Sequence, residues 1–407
     1  MKFMSKDVST DSGAIKEFLE RGIEAVFPNK ADLERRLMSG KKLRIYLGID
    51  PTGPTVHLGH VIPLLRLARL QEMGHEVILL IGDFTAMIGD PTDKSAARKK
   101  LSRKEVLSNL KLYKKQAGNI LSFSGPNAAK LKFNSKWLSK LSFAEILDIA
   151  SHMTADQMRK RDMFRKREEE GKPTYLHEFL YPLMQGYDSV AMDVDAEVGG
   201  NDQTFNMLAG RDLMKSLKNK DKFVIATKLL VDPSGKKMGK TEGNMIALSD
   251  SARDMFGKVM SWPDPLIVTA FETATRVSMS DINEIRKSIG SGANPRDAKL
   301  RLAETVVSMY YGEKAAKAER DNFFKAFSNK EMPDDTSEIA ISRDSMLSDA
   351  LVANKIVSSK SDFKRLVQEK AIRDMKTDKV VEKFDEKVTA DLDLRVGKHR
   401  FVKIRVK

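Results

Sequence analysis

The stretch LRIYLGIDPTGPTVHLGHVIPLLRLARL, residues 43–70, decides the fold. Residues 43–49 have the alternation of apolar side chains that is expected of a buried strand. The prolines, the glycine and the capping residues of segment 50–55 then end that strand. From residue 58 onward the apolar residues recur with helical spacing. The stretch therefore predicts a strand, a turn and a helix that begins at the HLGH string, residues 57–60.

The HLGH string places two imidazoles in the first turn of that helix. His57 and His60 are three residues apart and so share one face. A helix N-terminus presents free N–H groups and a positive dipole end, which suit phosphate, and imidazoles can donate to phosphoryl oxygens as charge develops. Gly59 lets a flat group approach the backbone closely. Two histidines on a surface helix are the alternative. A metal site is less well supported, because the chain has no cysteine and six histidines in all.

A second motif, KMGKT at residues 237–241, follows the strand-like run 223–231 and a turn signal. We expect Lys237 and Lys240 to lie in a glycine-rich, mobile loop, which suits a pyrophosphate leaving group. A solvated basic turn is one alternative. A Walker loop is another, but its pattern needs a glycine where this chain has Ser234.

Together and in this order, the two motifs resemble the HIGH and KMSKS signatures of class I aminoacyl-tRNA synthetases. The chain departs from them at Leu58, Gly239 and Thr241, and the tyrosine enzymes of this class often show the last two departures. Longer strings are similar to bacterial-type tyrosyl-tRNA synthetases: YLGIDPT at 46–52, GDFTAMIGDP at 82–91, YPLMQGYD at 181–188, VGGNDQ at 198–203 and NPRD at 294–297. The similarity runs over nearly the whole chain, so chance is a poor explanation.

The strand–helix–strand pattern at 43–49, 61–71 and 76–82 predicts a right-handed βαβ unit, and residues 189–197 and 223–231 are expected to add strands. Ligand should bind at the carboxyl ends of the strands. The fold class is therefore α/β: a Rossmann-like parallel-sheet catalytic domain with a helical insertion, then an α-helical domain and a small α+β C-terminal RNA-binding domain.

The resemblance also implies a domain order along the chain. We expect helices at 1–40, the catalytic domain at 41–250 with an insertion at about 92–180, a helical anticodon-side domain at 251–328, a linker at 329–340 and an RNA-binding domain like that of ribosomal small-subunit protein S-four at 341–407. In the family the insertion carries the interface of a homodimer. Asn294 and Pro295 are expected to cap and begin a helix of the anticodon-side domain.

The resemblance assigns the site residues. The expected catalytic residues are Thr52, His57, His60, Lys237 and Lys240. Tyrosine is expected to contact Tyr46 and Asp188 with its phenol, Asp90, Tyr181 and Gln185 with its ammonium group, and Gln203 with its carboxylate. ATP is expected against Gly48, Asp50, Gly59, Gly200, Asp202 and Met238. Residues 152–158 receive no role, and no protein side chain is expected to hold a metal.

The implied reaction joins L-tyrosine and ATP into tyrosyl-adenylate and pyrophosphate, then transfers tyrosine to the 3'-terminal ribose of tRNA(Tyr). ATP enters with Mg²⁺ and no prosthetic group is needed. A carboxylate is already a nucleophile at neutral pH, so the site must orient it and stabilise phosphate charge. The pair Tyr46 and Asp188 disfavours a tryptophan enzyme. The intact histidines and lysines disfavour a non-catalytic RNA-binding protein, and the spacing disfavours a Walker-loop NTPase.

Composition fits an enzyme that handles nucleic acid. The chain has 407 residues, 41% of them hydrophobic, a net charge of +14 and no cysteine, which excludes disulfides and thiolate metal sites. Basic tracts at 98–115 and 159–167 suit RNA, although a solvated helix face is the alternative. The N-terminus has no apolar signal, and the longest aliphatic run, 77–81, is too short for a bilayer. We therefore expect a cytoplasmic protein that does not bind membranes.

Overall fold

A computed structural model describes residues 7–90, 101–159, 162–231, 245–327, 332, 336–397 and 400–407. The chain forms two compact units. The first comprises Met1–Ser249 and Pro265–Ala293, and the second comprises Asp250–Asp264 and Asn294–Lys407. Within the described residues, no helix is both long enough and apolar enough to cross a bilayer.

The first unit is built on a six-stranded sheet. Its strands are β1 Ile23–Phe27, β2 Arg44–Ile49, β3 Glu76–Ile81, β4 Lys130–Phe133, β5 Ala196–Gly200 and β6 Phe223–Thr227. They lie in the order β1-β6-β5-β2-β3-β4. All neighbours are parallel except β1, which runs antiparallel to β6 at one edge. After β2 the chain adds β3 and β4 on one side, and it then places β5 and β6 on the other side. The strand order therefore reverses between β2 and β5, and this reversal leaves a crevice at their carboxyl ends. The predicted α/β class with a parallel sheet is confirmed.

Helices cover this sheet. Those before β6 are α1 Ser12–Glu20, α2 Lys30–Met38, α3 Leu58–Glu72, α4 Thr85–Ile88, α5 Arg103–Leu110, α6 Tyr113–Ala117, α7 Ser135–Leu138, α8 Phe143–Ser151, α9 Ala155–Arg159, α10 Asp162–Glu169, α11 Leu176–Met192 and α12 Thr204–Lys218. A 3₁₀ turn, Asn201–Gln203, joins β5 to α12. The helix α3 is buried along most of its length because it lies against β2, β3 and β5.

Three elements differ from the sequence expectations. Segment 1–40 carries β1 between α1 and α2, because IEAVF pairs with the edge of β6. The strand expected at 189–197 begins only at Ala196, since the preceding residues complete α11, which ends where Asp193 adopts the left-handed conformation. The insertion contains β4, which pairs with β3 and extends the sheet.

The second unit contains helices and a small sheet. Three of its helices pack on one another: α13 Ala252–Met260, α16 Pro295–Tyr311 and α17 Glu313–Phe327. Helices α14 Leu266–Ala274 and α15 Met279–Gly290 belong to the first unit. The expected cap of α16 is confirmed: Asn294 accepts a hydrogen bond from the Arg296 N–H, and Pro295 is the first helical residue. Residues 265–293, which are part of the region expected as one helical domain, thus belong to the unit that contains the six-stranded sheet.

The C-terminal part is a small α+β arrangement. Its strands are β7 Ser337–Ile341, β8 Ile372–Asp374, β9 Leu392–Val396 and β10 Arg400–Val406, in the order β7-β10-β9-β8, with helices α18 Leu347–Ala353 and α19 Lys360–Gln368. Its buried cluster includes Leu351, Phe363, Leu394, Val402 and Ile404, and every member of that cluster comes from this part of the chain. The predicted small α+β domain is therefore confirmed.

Candidate active site

A cavity of about 340 Å³ lies at the carboxyl ends of β2 and β5, where the sheet changes direction. Every predicted site residue that the structure describes lines it. These residues are Tyr46, Gly48, Asp50, Thr52, His57, Gly59, His60, Asp90, Tyr181, Gln185, Asp188, Gly200, Asp202 and Gln203. Lys237, Met238 and Lys240 lie outside the described residues. Motifs far apart in sequence are thus brought to one site by the parallel sheet.

The HLGH string forms one wall of the cavity. His57 is the N-cap of α3, and its backbone N–H donates to His60 Nδ1 at 3.3 Å. The two imidazoles stack with their centroids 3.9 Å apart. A Cβ added to Gly59 would lie 3.0 Å from the His57 ring, so glycine gives that ring its room. This arrangement presents two imidazoles and a helix N-terminus to the cavity, which suits an anion.

The described chain on both sides of the KMGKT motif reaches this wall. Before the motif, Leu229 and Leu230 line the cavity. After it, the Leu58 N–H donates to the Ile246 carbonyl at 3.0 Å, and the Leu248 N–H donates to the Val56 carbonyl at 2.9 Å. The described residues before the motif therefore reach the cavity, and those after it pair with the chain at the start of α3.

A phenol and a carboxylate lie among the buried residues that line the cavity. Asp188, on α11, is 3% exposed and Tyr46, on β2, is fully buried. Asp188 accepts from Trp137 Nε1 at 2.7 Å and from Asn134 Nδ2 at 3.2 Å. Burial raises the pKa of Asp188, and these two N–H donors oppose that rise. Burial also raises the pKa of Tyr46, so Tyr46 remains a neutral phenol. A hydroxyl group bound here would meet one acceptor and one hydroxyl.

A second polar group lies nearer the mouth and is centred on Asp50. The Asp50 carboxylate accepts from Thr85 Oγ1 at 2.8 Å and from the Tyr181 hydroxyl at 2.9 Å. Because Tyr181 gives its proton to Asp50, its oxygen is left as an acceptor. Gln203 Nε2 donates to Asp90 Oδ2 at 2.6 Å. The oxygens of these residues suit a cationic group such as an ammonium.

Six residues of this network had no predicted role, and one of them is Thr85, which donates to Asp50. Asn134 and Trp137 reach Asp188 from the segment that follows β4. A strand predicted within the insertion would have indicated them, because polar residues that follow a strand lie at the edge of the sheet where ligand is expected. Ser189, Glu197 and Lys222 form a further layer behind Tyr46. Sequence motifs do not mark that layer, because a lone lysine before a strand is an ordinary feature.

The sequence matches known proteins over most of its length. Residues 38–328 match the family described as tRNA synthetases class I (W and Y). The chain is 41% identical to a tyrosine–tRNA ligase of Carboxydothermus hydrogenoformans, over 95% of this chain and 97% of that protein. It is 39% identical to the tyrosine–tRNA ligase of Haemophilus influenzae, over 98% of each chain.

A solved structure shares the fold. A C-terminally truncated mitochondrial tyrosyl-tRNA synthetase of Aspergillus nidulans superposes with a TM-score of 0.66 at 24% identity, covering 77% of this chain and 94% of that one. This likeness concerns the fold. The chain therefore belongs to the class I tRNA synthetases of the tryptophan and tyrosine group and, within them, to the tyrosine–tRNA ligase family.

Proposed function

We propose that the chain joins L-tyrosine and ATP into tyrosyl-adenylate and pyrophosphate, and then transfers tyrosine to the 3'-terminal ribose of tRNA(Tyr), using the residues that line the cavity. The observation that carries this assignment is that the buried side chains of Tyr46 and Asp188 both line the cavity that the HLGH string also lines. Phenylalanine has no hydroxyl to offer to Asp188 and Tyr46, and the loss of a hydrogen bond by a buried polar group costs about 1–3 kcal/mol.

In the first step a tyrosine carboxylate oxygen forms a bond to the α-phosphorus of ATP. The bond between that phosphorus and the oxygen that joins it to the β-phosphorus breaks. Negative charge grows on the pyrophosphate that leaves. His57, His60 and Thr52 are suited to stabilise that charge, and the N–H groups at the start of α3 add a fixed positive field. We assign Lys237 and Lys240 the same task, because the described chain on both sides of their motif reaches the cavity.

The remaining polar groups orient the two substrates. Asp90, Tyr181 and Gln185 hold the ammonium group of tyrosine, and Gln203 is suited to its carboxylate. Asp202 binds the ribose of ATP, while Gly48, Gly59 and Gly200 let the nucleotide approach the backbone. We assign ATP contacts to Asp50 and Met238 as well.

Magnesium is best treated as part of the ATP substrate. Among the described residues there is no group of three or more His, Asp or Glu side chains that could hold a metal ion. Mg²⁺ held by phosphate oxygens needs few protein ligands, so we propose that it enters and leaves with the phosphates. We assign no prosthetic group to the reaction, and we expect it to take place in the cytoplasm.

A second copy of the chain is the proposed partner of the insertion. Helices α8 and α11 contact each other and expose large apolar residues, including Phe143 at 75% and Leu176 at 84%. Apolar surface of this kind is stabilised when a partner covers it. The homodimer therefore uses the region that the family resemblance indicates.

The C-terminal part is proposed to bind tRNA. Residues 341–407 contain 17 Lys and Arg against 11 Asp and Glu, a net charge of +6 (17 − 11). An excess of positive charge on a small α+β domain favours contact with phosphates. We assign α13, α16 and α17 to the anticodon side on the same family resemblance.

Two variants test the catalytic assignment by tyrosine-dependent exchange of pyrophosphate into ATP. His57→Ala and Lys240→Ala should each lower the exchange rate at least about 100-fold, as expected when one donor to a developing charge is removed. A Walker-loop NTPase would lose ATP turnover in the lysine variant alone. Unchanged exchange in both variants, with folding verified by circular dichroism, would refute the assignment.

A further inference from the structure

A fully buried ion pair lies at the wall of the cavity, and one of its members, Glu197, lines the cavity. Lys222 precedes β6 and Glu197 lies on β5, and their side chains are 0% and 2% exposed. Lys222 Nζ donates to the Glu197 carboxylate and, at 2.9 Å, to Ser189 Oγ. Burial lowers the pKa of Lys222, and the Glu197 carboxylate acts in the opposite direction. Because a buried ion pair adds little net stability, its contacts with the cavity are the more informative feature.

The helix α12 leaves a space for the ammonium group. A Cβ added to Gly210 would lie 2.6 Å from Lys222 Nζ and 2.8 Å from Ser189 Oγ. A Cβ added to Gly186, on α11, would lie 3.2 Å from the Gly210 nitrogen. The two glycines thus let α11 and α12 approach closely while the lysine head fits between the helices and the sheet.

On one side the ion pair reaches Tyr46. The Tyr46 hydroxyl lies 2.9 Å from Ser189 Oγ. An ammonium group only donates hydrogen bonds, so Lys222 occupies a lone pair of Ser189. Within the described chain, the Ser189 hydroxyl has only these two partners. Donation from Ser189 to Tyr46 gives the Ser189 proton an acceptor and leaves the proton of Tyr46 to point elsewhere.

The carboxylates beside Tyr46 make the direction of that proton important. After burial, the charges of Glu197 and Asp188 are the next causes that raise the pKa of Tyr46, and a side-chain hydrogen bond with Glu197 raises it further. Tyr46 therefore keeps its proton and can donate it. Glu197 competes with a bound ligand for that proton, and without Lys222 its uncompensated charge would compete more strongly.

On the other side the ion pair reaches Gln185. Gln185 Nε2 donates to Glu197 Oε1 at 3.1 Å. Because a carboxylate only accepts, the amide must present its NH₂ to Glu197 and its oxygen elsewhere. An amide oxygen that faces the cavity is an acceptor for an ammonium group.

We propose that Lys222 and Glu197 are positioning residues that set the hydrogen-bond direction at both ends of the tyrosine subsite. Lys222 acts through Ser189, so that Tyr46 donates to the phenol oxygen of tyrosine while Asp188 accepts the phenol proton. Glu197 acts through Gln185, so that the amide oxygen accepts from the ammonium group. This inference rests on the proposed function, in which both ends of tyrosine bind at these residues.

The test measures pyrophosphate exchange by the full chain in Ser189→Ala and Lys222→Met. Ser189→Ala keeps the ion pair and removes only its link to Tyr46. It should raise the KM for tyrosine about tenfold, the effect of one hydrogen bond, and leave the KM for ATP within about twofold. Lys222→Met should raise the KM for tyrosine more. Both variants should lower the preference for tyrosine over phenylalanine.

A double-mutant cycle and a matched control separate positioning from stability. If Ser189 acts through Tyr46, Ser189→Ala should have no further effect on the KM for tyrosine in a Tyr46→Phe background. Arg167→Met breaks another buried ion pair, Arg167 with Glu178 at 2.6 Å, and neither residue lines the cavity. This control should lower the melting temperature and leave the KM for tyrosine unchanged.

The inference is overturned if Ser189→Ala leaves both the KM for tyrosine and the tyrosine preference unchanged. That result would make the ion pair a structural feature alone. If Lys222→Met does not fold, the KM and the tyrosine preference of Ser189→Ala still test the inference. Absence of tyrosine-dependent exchange in the unmodified chain would instead refute the proposed function, so the two failures are distinguishable.

Discussion

At the residue scale, Asp50 is the group whose ionisation we expect to control tyrosine binding. Burial raises the pKa of Asp50 to about 7, with a smaller contribution from the carboxylates of Asp90 and Asp83. Because the pKa is raised, the group is neutral below about pH 7 and charged above it. The charged form accepts from Tyr181, which we assign to the substrate ammonium. Protonation should therefore weaken the attraction for tyrosine.

We predict that kcat/KM for tyrosine falls by about tenfold per unit as the pH drops below about 7. The pH profile of pyrophosphate exchange measures this fall. Asp50→Asn removes the titrating group. The kcat/KM of this variant should therefore be low and should change less with pH over the same range. His57 and His60 also face the cavity, and an unchanged slope in Asp50→Asn would assign the titration to them instead.

The residues that the sequence predicted are those carried by recognisable strings. Each such residue in the described chain lines the cavity. Most of the strings lie on or just after strands whose carboxyl ends meet, while Tyr181, Gln185 and Asp188 lie on α11. Asn134, Trp137 and Lys222 belong to no string. Lys222 is one of 71 Lys and Arg residues, and only the fold shows that it is buried. Contacts created by tertiary pairing leave no local pattern.

At the scale of elements, the β2–turn–α3 unit was predictable because its apolar periodicity changes sharply at a proline-rich turn. Strands β1 and β4 were not predicted. β4, with the sequence KLKF, alternates lysine with apolar residues within a charge-rich segment, so its pairing with β3 decides its conformation. Edge strands of this length depend on their neighbours more than on propensity.

The exposed apolar residues of α8 and α11 give an element-scale prediction about assembly. The unmodified chain should sediment at about twice its mass of 45.7 kDa. Leu176→Glu places a charge on the most exposed of these residues and should weaken association at least about 100-fold, since a buried unpaired charge is costly.

Met38→Glu is the matched control, because Met38 is a 42% exposed apolar residue on α2, outside the proposed interface. It should leave the mass unchanged. Sedimentation equilibrium over a range of concentrations makes the measurement. A concentration-independent monomer mass for the unmodified chain would contradict the dimer.

At the scale of the whole molecule, the C-terminal part should be separable from adenylate formation. Its buried cluster contains only residues from that part of the chain, and β7 pairs only with β10 among the described strands. We predict that a chain ending at residue 327 keeps tyrosine-dependent exchange within about threefold. Charging of tRNA(Tyr) should fall at least about tenfold, because phosphate contacts supply much of RNA affinity. Equal charging by both chains would refute an RNA-binding role.

The central claim is that the Tyr46 and Asp188 pair selects tyrosine for activation by ATP. The most direct measurement is pyrophosphate exchange into ATP with tyrosine, phenylalanine and tryptophan compared in the absence of tRNA. We predict exchange with tyrosine alone, and its loss in Asp188→Asn, where the acceptor for the phenol proton is altered. Exchange with tryptophan, or with phenylalanine at a comparable rate, would contradict the account.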